Sequence, residues 1–275
     1  MKVSNIMRIV LFIVGLSFAF ISCSDEEGGC RKKTTVEEES VYQPSNNPKI
    51  TEIALGETVV YKFEYDNRGR IYKYTFFRRN SSGTDNTETY VYTYSGNNLI
   101  VKNKENVLFR GKFSNKGALT EIYRRETEDT PIATFRYGNG GYLSECHLNV
   151  LGERNAFYLS WDDRNDQFKL QSEGGTEQLY EYFEYANNTN LDLNALVSNC
   201  NTYEKWFSDQ VPFALFYFFG QGSKHLVSYE KYNSRHDFTM EYERDGKGLP
   251  LTIWVTDHGE LNNTGTRVYR ITYQK

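Results

Sequence analysis

A pattern that recurs at intervals of 24 residues constrains the fold of this chain more than any other feature. Each unit begins with two residues, usually apolar and often aromatic, that flank one variable residue. Turn-forming residues follow, and a large apolar residue opens the next segment. The instances are 63–71, 92–99, 111–119, 135–143, 159–168, 183–191 and 240–249. The period is strictest where the second aromatic residue recurs at Phe113, Tyr137, Trp161 and Tyr185.

This pattern predicts a series of β-hairpins. Residues 61–65 and 71–74 alternate between apolar and polar side chains, which is typical of strands with one buried face. The residues between them, such as Asn67 and Gly69, tolerate the positive φ that tight turns require. With a closing strand at 267–273, the chain predicts an all-β fold, an up-and-down antiparallel meander of about 14–16 strands. A sheet of that width curls or closes into a barrel to protect its edges.

Composition agrees with this fold and excludes two classes of protein. The chain contains 22 Tyr, 18 Phe and 3 Trp, and aromatic residues favour strands. Hydrophobic residues are 39% and charged residues 25% of the 275, which is unlike a helical membrane protein with many spans. The formal net charge of −4 argues against a nucleic-acid partner, because such a protein needs a basic face.

The repeat is interrupted between Tyr185 and Tyr242, and we expect a short helical insertion at about 191–220. Asn190 or Asp192 is placed to cap a first helix, and Pro212 and Gly220 bracket a second. Residues 213–219 are apolar on all sides, so they must be buried, as a helix or alternatively as an aromatic strand. Because side chains alone fill only small barrels, we predict that this insertion plugs the interior.

The first 22 residues predict an export signal rather than part of the fold. Lys2 and Arg8 precede an apolar run at 9–20, which is too short for a permanent membrane span. The run ends in Phe20-Ile21-Ser22-Cys23, which resembles the bacterial lipobox, although Leu is usual at the first position. We therefore expect Cys23 to be lipidated, the alternative being an ordinary secretory signal.

The residues after Cys23 predict a polar tether at 23–48, followed by the hairpin-repeat domain at 49–275. Ser24, Asp25, Glu26 and Glu27 resemble the signal that sends lipoproteins of one group of Gram-negative bacteria to the cell surface; the alternative is a polar linker without a signal. We expect an outer-membrane location, with the membrane contacted through the lipid on Cys23. Residues 28–48 contain too little apolar surface to fold alone.

The remaining cysteines do not form a disulfide framework. Cys30 lies in the tether, which leaves Cys146 and Cys200 in the domain. They could pair in an oxidising compartment, but nothing in the spacing requires it, and we favour two buried free thiols.

Two resemblances follow from these motifs. The hairpin repeat loosely resembles the YD repeats of Rhs-type proteins. More closely, the chain resembles lipoproteins of unknown function that are described as having a porin-like fold, through the lipobox with its stalk, residues 190–194 before the apolar run, and residues 223–227. The resemblance covers 49–275 and implies a large antiparallel barrel-like meander. It implies no activity, cofactor or catalytic residue. A membrane-spanning barrel is not expected, because such strands are longer and a lipid anchor is then unnecessary.

Candidate chemistry in the sequence is sparse. His236 beside Asp237, and the run Asp257, His258, Gly259 and Glu260, place histidine next to carboxylates. We favour a polar turn between two strands as the explanation of the run. Asp162, Asp163 and Asp166 suggest calcium, yet Arg164 lies among them and the turn pattern already accounts for them. The sequence contains no recognisable catalytic or cofactor motif, so we assign no catalytic, metal or cofactor residues.

We therefore expect a surface lipoprotein with a non-enzymatic binding role, for a glycan or a lipid-like ligand. An aromatic-rich sheet on a flexible stalk suits the display of a binding surface, although the sequence does not identify the ligand-binding residues. Two alternatives stay open. One is a hydrolase that uses a carboxylate pair, and the other is a structural subunit of an outer-membrane complex that docks through residues 213–219.

Overall fold

The structure is a computed structural model of the full chain. It describes residues 46–57, 59–79, 85–125, 129–150, 152–198, 202–205, 211–232, 237–259 and 265–275. The predicted signal peptide, Cys23, and residues Ser24 to Glu27 lie outside the described residues.

The described residues form sixteen antiparallel strands that close into one barrel, in which β1 pairs with β16. The strands are β1 (Ile50–Leu55), β2 (Val59–Tyr65), β3 (Ile71–Arg79), β4 (Asp85–Ser95), β5 (Asn98–Asn103), β6 (Asn106–Phe113), β7 (Leu119–Arg124), β8 (Ala133–Tyr137), β9 (Leu143–Val150), β10 (Glu153–Trp161), β11 (Gln167–Ser172), β12 (Glu177–Ala186), β13 (His225–Lys231), β14 (Asp237–Arg244), β15 (Pro250–Asp257) and β16 (Thr266–Tyr273). Every neighbour in the barrel is also a neighbour in sequence, apart from the closing pair. The predicted all-β meander of 14–16 strands is confirmed.

The interior of the barrel is apolar and the exterior is polar. In β4, Tyr90, Tyr92 and Tyr94 point inward and are buried, whereas Val91 and Thr93 between them are exposed. This is the alternation expected when one face of each strand packs against a core. The buried inward residues of all the strands form one continuous hydrophobic cluster.

Six of the seven repeat units form the predicted hairpins, and the seventh prediction is wrong. Residues 183–191 carry the same local pattern, but β12 ends at Ala186 and Leu191 is buried outside any strand. Contacts from elsewhere override the turn signal here. The Asn190 side chain accepts a hydrogen bond from Ile50 N at 2.8 Å and donates one to the Tyr65 hydroxyl at 2.7 Å.

The segment between β12 and β13, residues 187–224, is the plug of the barrel. Its described residues include helix α1 (Leu193–Val197), helix α2 (Thr202–Lys205) and a 3-10 turn at Ala214–Phe216. Asp192 caps α1, as the sequence predicts, by accepting a hydrogen bond from Asn194 N at 3.1 Å. The predicted second helix is shorter than expected, because Tyr217 adopts a positive φ and ends the turn.

Phenylalanines of the plug interlock with the aromatic residues of the barrel wall. Phe216 makes edge-on ring contacts with Phe63 at 6.0 Å and Tyr92 at 5.5 Å between centroids. Phe218 contacts Phe113 at 5.8 Å in the same way. Such edge-to-face packing is a favoured geometry for aromatic pairs. The prediction that the insertion fills the barrel is therefore confirmed by the described residues.

A belt of hydrogen bonds gives the second aromatic residue a role in five of the seven repeat units; in β12 the donor is Tyr182 rather than Tyr185. In seven of the eight even-numbered strands, an inward Tyr or Trp donates to a backbone carbonyl of the preceding strand. The pairs are Tyr65 to Ile50, Tyr94 to Ile71, Tyr137 to Leu119, Trp161 to Leu143, Tyr182 to Gln167, Tyr242 to Val227 and Tyr273 to Pro250. In β6 the position holds Phe113, which has no donor and packs on Phe218 instead.

Candidate functional site

The two ends of the barrel differ. At the end we call the plug end, β12 leaves the wall at Ala186 and β13 re-enters it at His225. The opposite end, which we call the mouth, is where β10 begins, β11 ends and β12 begins. Any site inside this barrel is therefore either a gap beside the plug or a pocket under the rim of the mouth.

Polar side chains fasten the plug to the wall. Asp166 is fully buried and accepts two hydrogen bonds from His225, one from the backbone N at 2.9 Å and one involving Nδ1 at 2.7 Å. Asn194 of α1 donates to His225 O at 2.8 Å and accepts from Val227 N at 2.9 Å. These bonds satisfy backbone groups where the chain re-enters the sheet, so the plug is a fixed part of the fold.

The Asp166–His225 pair resembles the carboxylate–imidazole part of a catalytic triad, but its surroundings assign it a structural role. The neighbouring hydroxyl, on Ser223, accepts a hydrogen bond from Gln167 N at 3.0 Å and donates one to the Tyr182 hydroxyl at 3.1 Å. The serine is therefore held by the sheet. Nucleophilic catalysis requires a hydroxyl bonded to the imidazole, and the hydrogen bonds described for Ser223 point elsewhere.

Asp192 is a buried titratable group between the plug and the wall, and its pKa is shifted. Its Oδ1 accepts from Asn187 Nδ2 at 3.0 Å and from Asn194 N at 3.1 Å. Burial nevertheless outweighs these hydrogen bonds and raises the pKa of Asp192 to about 6. It lines a gap of about 40 Å³ between plug and wall, which has room for water but not for an organic ligand.

A larger cavity lies under the rim of the mouth, between β10, β11 and β12. Its volume is about 300 Å³. The lining residues are Asn155, Phe157, Leu170, Ser172, Gly174, Thr176, Gln178 and Tyr232. The floor is apolar, because Phe157 and Leu170 belong to the buried core. The walls carry amides and hydroxyls, and none of these lining side chains is charged.

Two hydrogen bonds hold polar side chains that line this cavity in place. The Tyr180 hydroxyl donates to Gln178 Oε1 at 2.6 Å, which fixes the orientation of the amide. Ser172 Oγ accepts from Thr176 N at 3.1 Å and closes the turn between β11 and β12. Among the described residues, the Asn155 side chain makes no hydrogen bond, so its amide is available to a ligand. We therefore take this mouth cavity as the candidate functional site.

A third cavity, of about 460 Å³, lies at the same end around residues 129–132 and 149–152. It is lined by Arg124 and Asp129 as well as by apolar residues. It is more open to solvent than the mouth cavity, so we do not treat it as a site.

The outer surface of the barrel is lined with ion pairs between neighbouring strands. Lys73 and Glu64 are 2.7 Å apart, and Lys112 and Glu121 are 2.9 Å apart. Hydrogen bonds from Tyr123 and Lys112 lower the pKa of Glu121. Membrane-spanning barrels instead present an apolar band outward and a polar interior. Among the described residues, no helix combines the length and apolar character needed to cross a membrane.

The other sequence candidates take structural roles or lie outside the described residues. The Asp162 carboxylate accepts from Arg164 N and Asp166 N and caps its turn, which is the turn role that the sequence pattern gives it. His258 Nε2 is bonded to the Thr239 hydroxyl at 2.8 Å. Within the described part of the chain, no cluster of three or more His, Cys, Asp or Glu could hold a metal ion. The remaining candidates, His236 and Glu260, are not described.

Cys146 is a buried cysteine on β9. Cys200, its partner in the alternative disulfide, lies outside the described residues, so the preference for two free thiols stays a prediction. Burial raises the pKa of the Cys146 thiol, which makes it unreactive.

Comparisons with known proteins identify the fold. No protein-family model and no curated protein sequence matches the chain. A porin-like protein from Bacteroides uniformis aligns with 86% of this chain and 100% of its own, at 14% identity and a TM-score of 0.68. A porin-like protein from Bacteroides vulgatus aligns with 82% of this chain and 99% of its own, at 14% identity and a TM-score of 0.57. The likeness establishes a shared fold, which is the porin-like part of the resemblance.

Proposed function

We propose that this protein is a lipid-anchored lipoprotein of the outer membrane that presents a non-enzymatic binding mouth to the surroundings of the cell. One observation carries the proposal. The chain enters the barrel at the plug end, and the mouth cavity opens at the opposite end. A tether attached to a membrane would therefore join the barrel at the end opposite the cavity and leave the cavity unobstructed.

The entry of the chain is fixed by contacts with the plug. Asn47 Nδ2 donates to Thr189 O at 3.2 Å, and Asn190 N donates to Pro48 O at 3.3 Å. These contacts begin two residues before the domain boundary predicted at residue 49. Strands such as β10, with 9 residues, separate the two ends by about 25 Å at a rise of ~3.3 Å per residue.

The barrel has the wrong surface and the wrong interior for a pore. Its bore is filled by buried side chains such as Phe213 and Phe218, and its outer face carries charge pairs such as Arg136–Glu145. A Lys or Arg facing the bilayer midplane destabilises a membrane barrel by ~2–4 kcal/mol. A water-facing barrel needs another attachment to a membrane, which the predicted lipid on Cys23 would supply.

Burial of the plug argues against one alternative. Docking to an outer-membrane complex through residues 213–219 requires an exposed apolar patch, but Phe213 and Phe218 are both 0% exposed. The mouth is therefore the better candidate for an interaction. The porin-like neighbours from Bacteroides fit an outer-membrane-associated role.

The proposal is tested in cells with two epitope tags placed in equivalent turns. One tag is inserted at Gly174 beside the mouth and the other at Gly246 at the plug end. We expect labelled palmitate to enter the wild type but not Cys23→Ala. We also expect the ratio of antibody binding on intact cells to binding in lysates to be higher for the Gly174 tag.

Equal palmitate uptake by both proteins would overturn the anchor. Antibody binding only after lysis would overturn surface display, and a higher ratio for the Gly246 tag would overturn the orientation. Antibody binding in lysates controls for the amount of each tagged protein. Both insertions lie in turns outside the strands, so we expect both proteins to fold.

A further inference from the structure

We infer that the mouth cavity is a binding site for a neutral carbohydrate of one or two sugar units. This inference rests on the proposed binding role and names its ligand class. The volume of about 300 Å³ lies at the lower end of the range for small-molecule pockets, ~300–1,000 Å³. It suits a small polar molecule rather than a long chain.

The floor of the cavity offers an apolar surface to the carbon–hydrogen face of a sugar ring. Phe157 is 4% exposed and Leu170 is 2% exposed, so both are fixed in the core. Phe157 also packs on Tyr203 of the plug, with ring centroids 6.2 Å apart. The plug therefore supports the floor from below, and ligand binding does not require the floor to move.

The walls offer hydrogen-bonding groups that both donate and accept. Asn155, Gln178, Ser172, Thr176 and Tyr232 provide two amides and three hydroxyls around the apolar floor. Sugar hydroxyls also donate and accept, so they pair with such groups without any charge. An apolar floor with a few convergent polar groups is the usual construction of a small-ligand site.

The same lining argues against the other ligand classes. An acyl chain in this cavity would leave the Asn155 amide without a hydrogen-bond partner, which is unfavourable. A phosphate or carboxylate would be expected to meet a Lys or Arg, and none of the described residues that line the cavity is a cation. Of the two classes that the sequence suggests, glycan and lipid-like, the structure favours the glycan.

The test measures binding of named probes to the purified mature protein by isothermal titration calorimetry. The neutral probes are glucose, galactose, N-acetylglucosamine, lactose and cellobiose; palmitate and glucuronate represent the lipid-like and anionic classes. Ser172→Trp fills the cavity, and Asn155→Leu removes one amide without adding bulk. Ser95→Trp is the matched control, because Ser95 is exposed at the plug end.

We expect at least one neutral sugar to bind the wild type and Ser95→Trp equally. Its affinity should fall at least tenfold in Ser172→Trp and at least threefold in Asn155→Leu, which keeps the test decisive if the Trp variant misfolds. Wild type that binds none of the neutral probes, or variants that bind like wild type, would overturn the inference. So would binding of palmitate or glucuronate in preference to the sugars.

Failure of this inference is distinguishable from failure of the proposed function. A protein that takes up palmitate on Cys23 and is displayed on cells, but binds no sugar, contradicts the ligand class alone. A protein that binds sugar but is neither lipidated nor displayed contradicts the anchor and the location alone. Mass spectrometry of the bound sugar completes the test, because cleavage of lactose or cellobiose would overturn the non-enzymatic role.

Discussion

The carboxylate of Asp192 fills the space where a side chain on Gly222 would begin. A Cβ at residue 222 would lie 3.0 Å from Asp192 Cγ and 2.8 Å from Cε1 of Tyr217. Both contacts are closer than packed carbon atoms allow, and Asp192 is held in place because it caps α1. The chain leaving the plug therefore passes α1 at a point where only glycine fits.

Gly222→Ala should destabilise the barrel by displacing the cap of α1. We expect a loss of ~1–3 kcal/mol in the free energy of unfolding, measured by urea denaturation, as is typical of overpacking a filled core. The control is Gly246→Ala, because a Cβ at Gly246 meets no atom within 4 Å. Equal stability of the two variants would contradict the tight passage.

The raised pKa of Asp192 predicts a pH dependence of stability. Its folded-state pKa of about 6 lies above the ordinary value of ~3.9 expected in the unfolded chain. Between these values the folded state holds more protons, so the stability contributed by this group is full below pH ~4 and is lost as the pH rises through 6. Raising the pKa of Asp192 by ~2 on folding corresponds to a loss of ~3 kcal/mol in the free energy of unfolding at a pH well above 6.

Asp192→Asn removes the titration and keeps an oxygen that accepts from Asn194 N. We expect the variant to gain stability relative to wild type as the pH rises from 4 to 7, by ~1–3 kcal/mol. Urea denaturation of both proteins at each pH measures this difference, and other titrating groups cancel in the comparison. A constant difference across the range would show that Asp192 is ionised in the folded state throughout.

Six hairpins could be predicted because their signals are local. The seventh prediction, at 183–191, was wrong because long-range contacts determine the structure there. Turn residues such as Asp66 and Gly69, flanked by alternating strands, contain all the information needed to form a hairpin. Residues 183–191 carry the same signal, but Asn190 is captured by Ile50 and Tyr65, which lie far away in the sequence. Periodicity alone cannot distinguish a turn from a segment held by such contacts.

The mouth cavity was missed for a related reason. Asn155, Ser172 and Gln178 belong to three different strands and meet only after the barrel closes. One sequence signal does mark them, because Asn155 and Ser172 each lie two residues from a buried apolar residue, Phe157 and Leu170. A polar residue at an inward position of a strand indicates either a rim or a cavity. The sequence did predict the plug itself, and it named Asp192 as one of two candidates for the helix cap.

The hydrogen-bonded belt predicts a loss of stability when one hydroxyl is removed. Tyr94 donates to Ile71 O at 2.7 Å in a buried position, so Tyr94→Phe leaves that carbonyl without the donor. We expect a loss of ~1–2 kcal/mol in the free energy of unfolding, with the fold unchanged by circular dichroism. Tyr72→Phe is the control, because its hydroxyl bonds Glu64 on the exposed surface. If Tyr72→Phe lost as much free energy of unfolding as Tyr94→Phe, the belt would contribute no more to stability than a surface hydrogen bond.

The plug is also a packing element of the barrel. Phe218 is fully buried, and its ring lies 6.1 Å from Tyr92 and 5.7 Å from Phe216 between centroids. Phe218→Ala would leave a cavity between plug and wall, so we expect a loss of ~3–5 kcal/mol in the free energy of unfolding. Phe168→Ala is the control, because Phe168 is 41% exposed on the outer face and should change stability by no more than ~1 kcal/mol.

If the plug holds the barrel together, Phe218→Ala should also bind a hydrophobic dye more strongly than wild type, whereas Phe168→Ala should not. The aromatic side chains of the wall face the bore with or without the plug. When the plug packs less tightly on them, they become accessible to the dye. A variant that loses less than 1 kcal/mol and leaves dye binding unchanged would show that the wall is stable by itself. The plug would then be a filler of the bore, and the barrel would derive its stability from the strand ladder and the hydrogen-bonded belt.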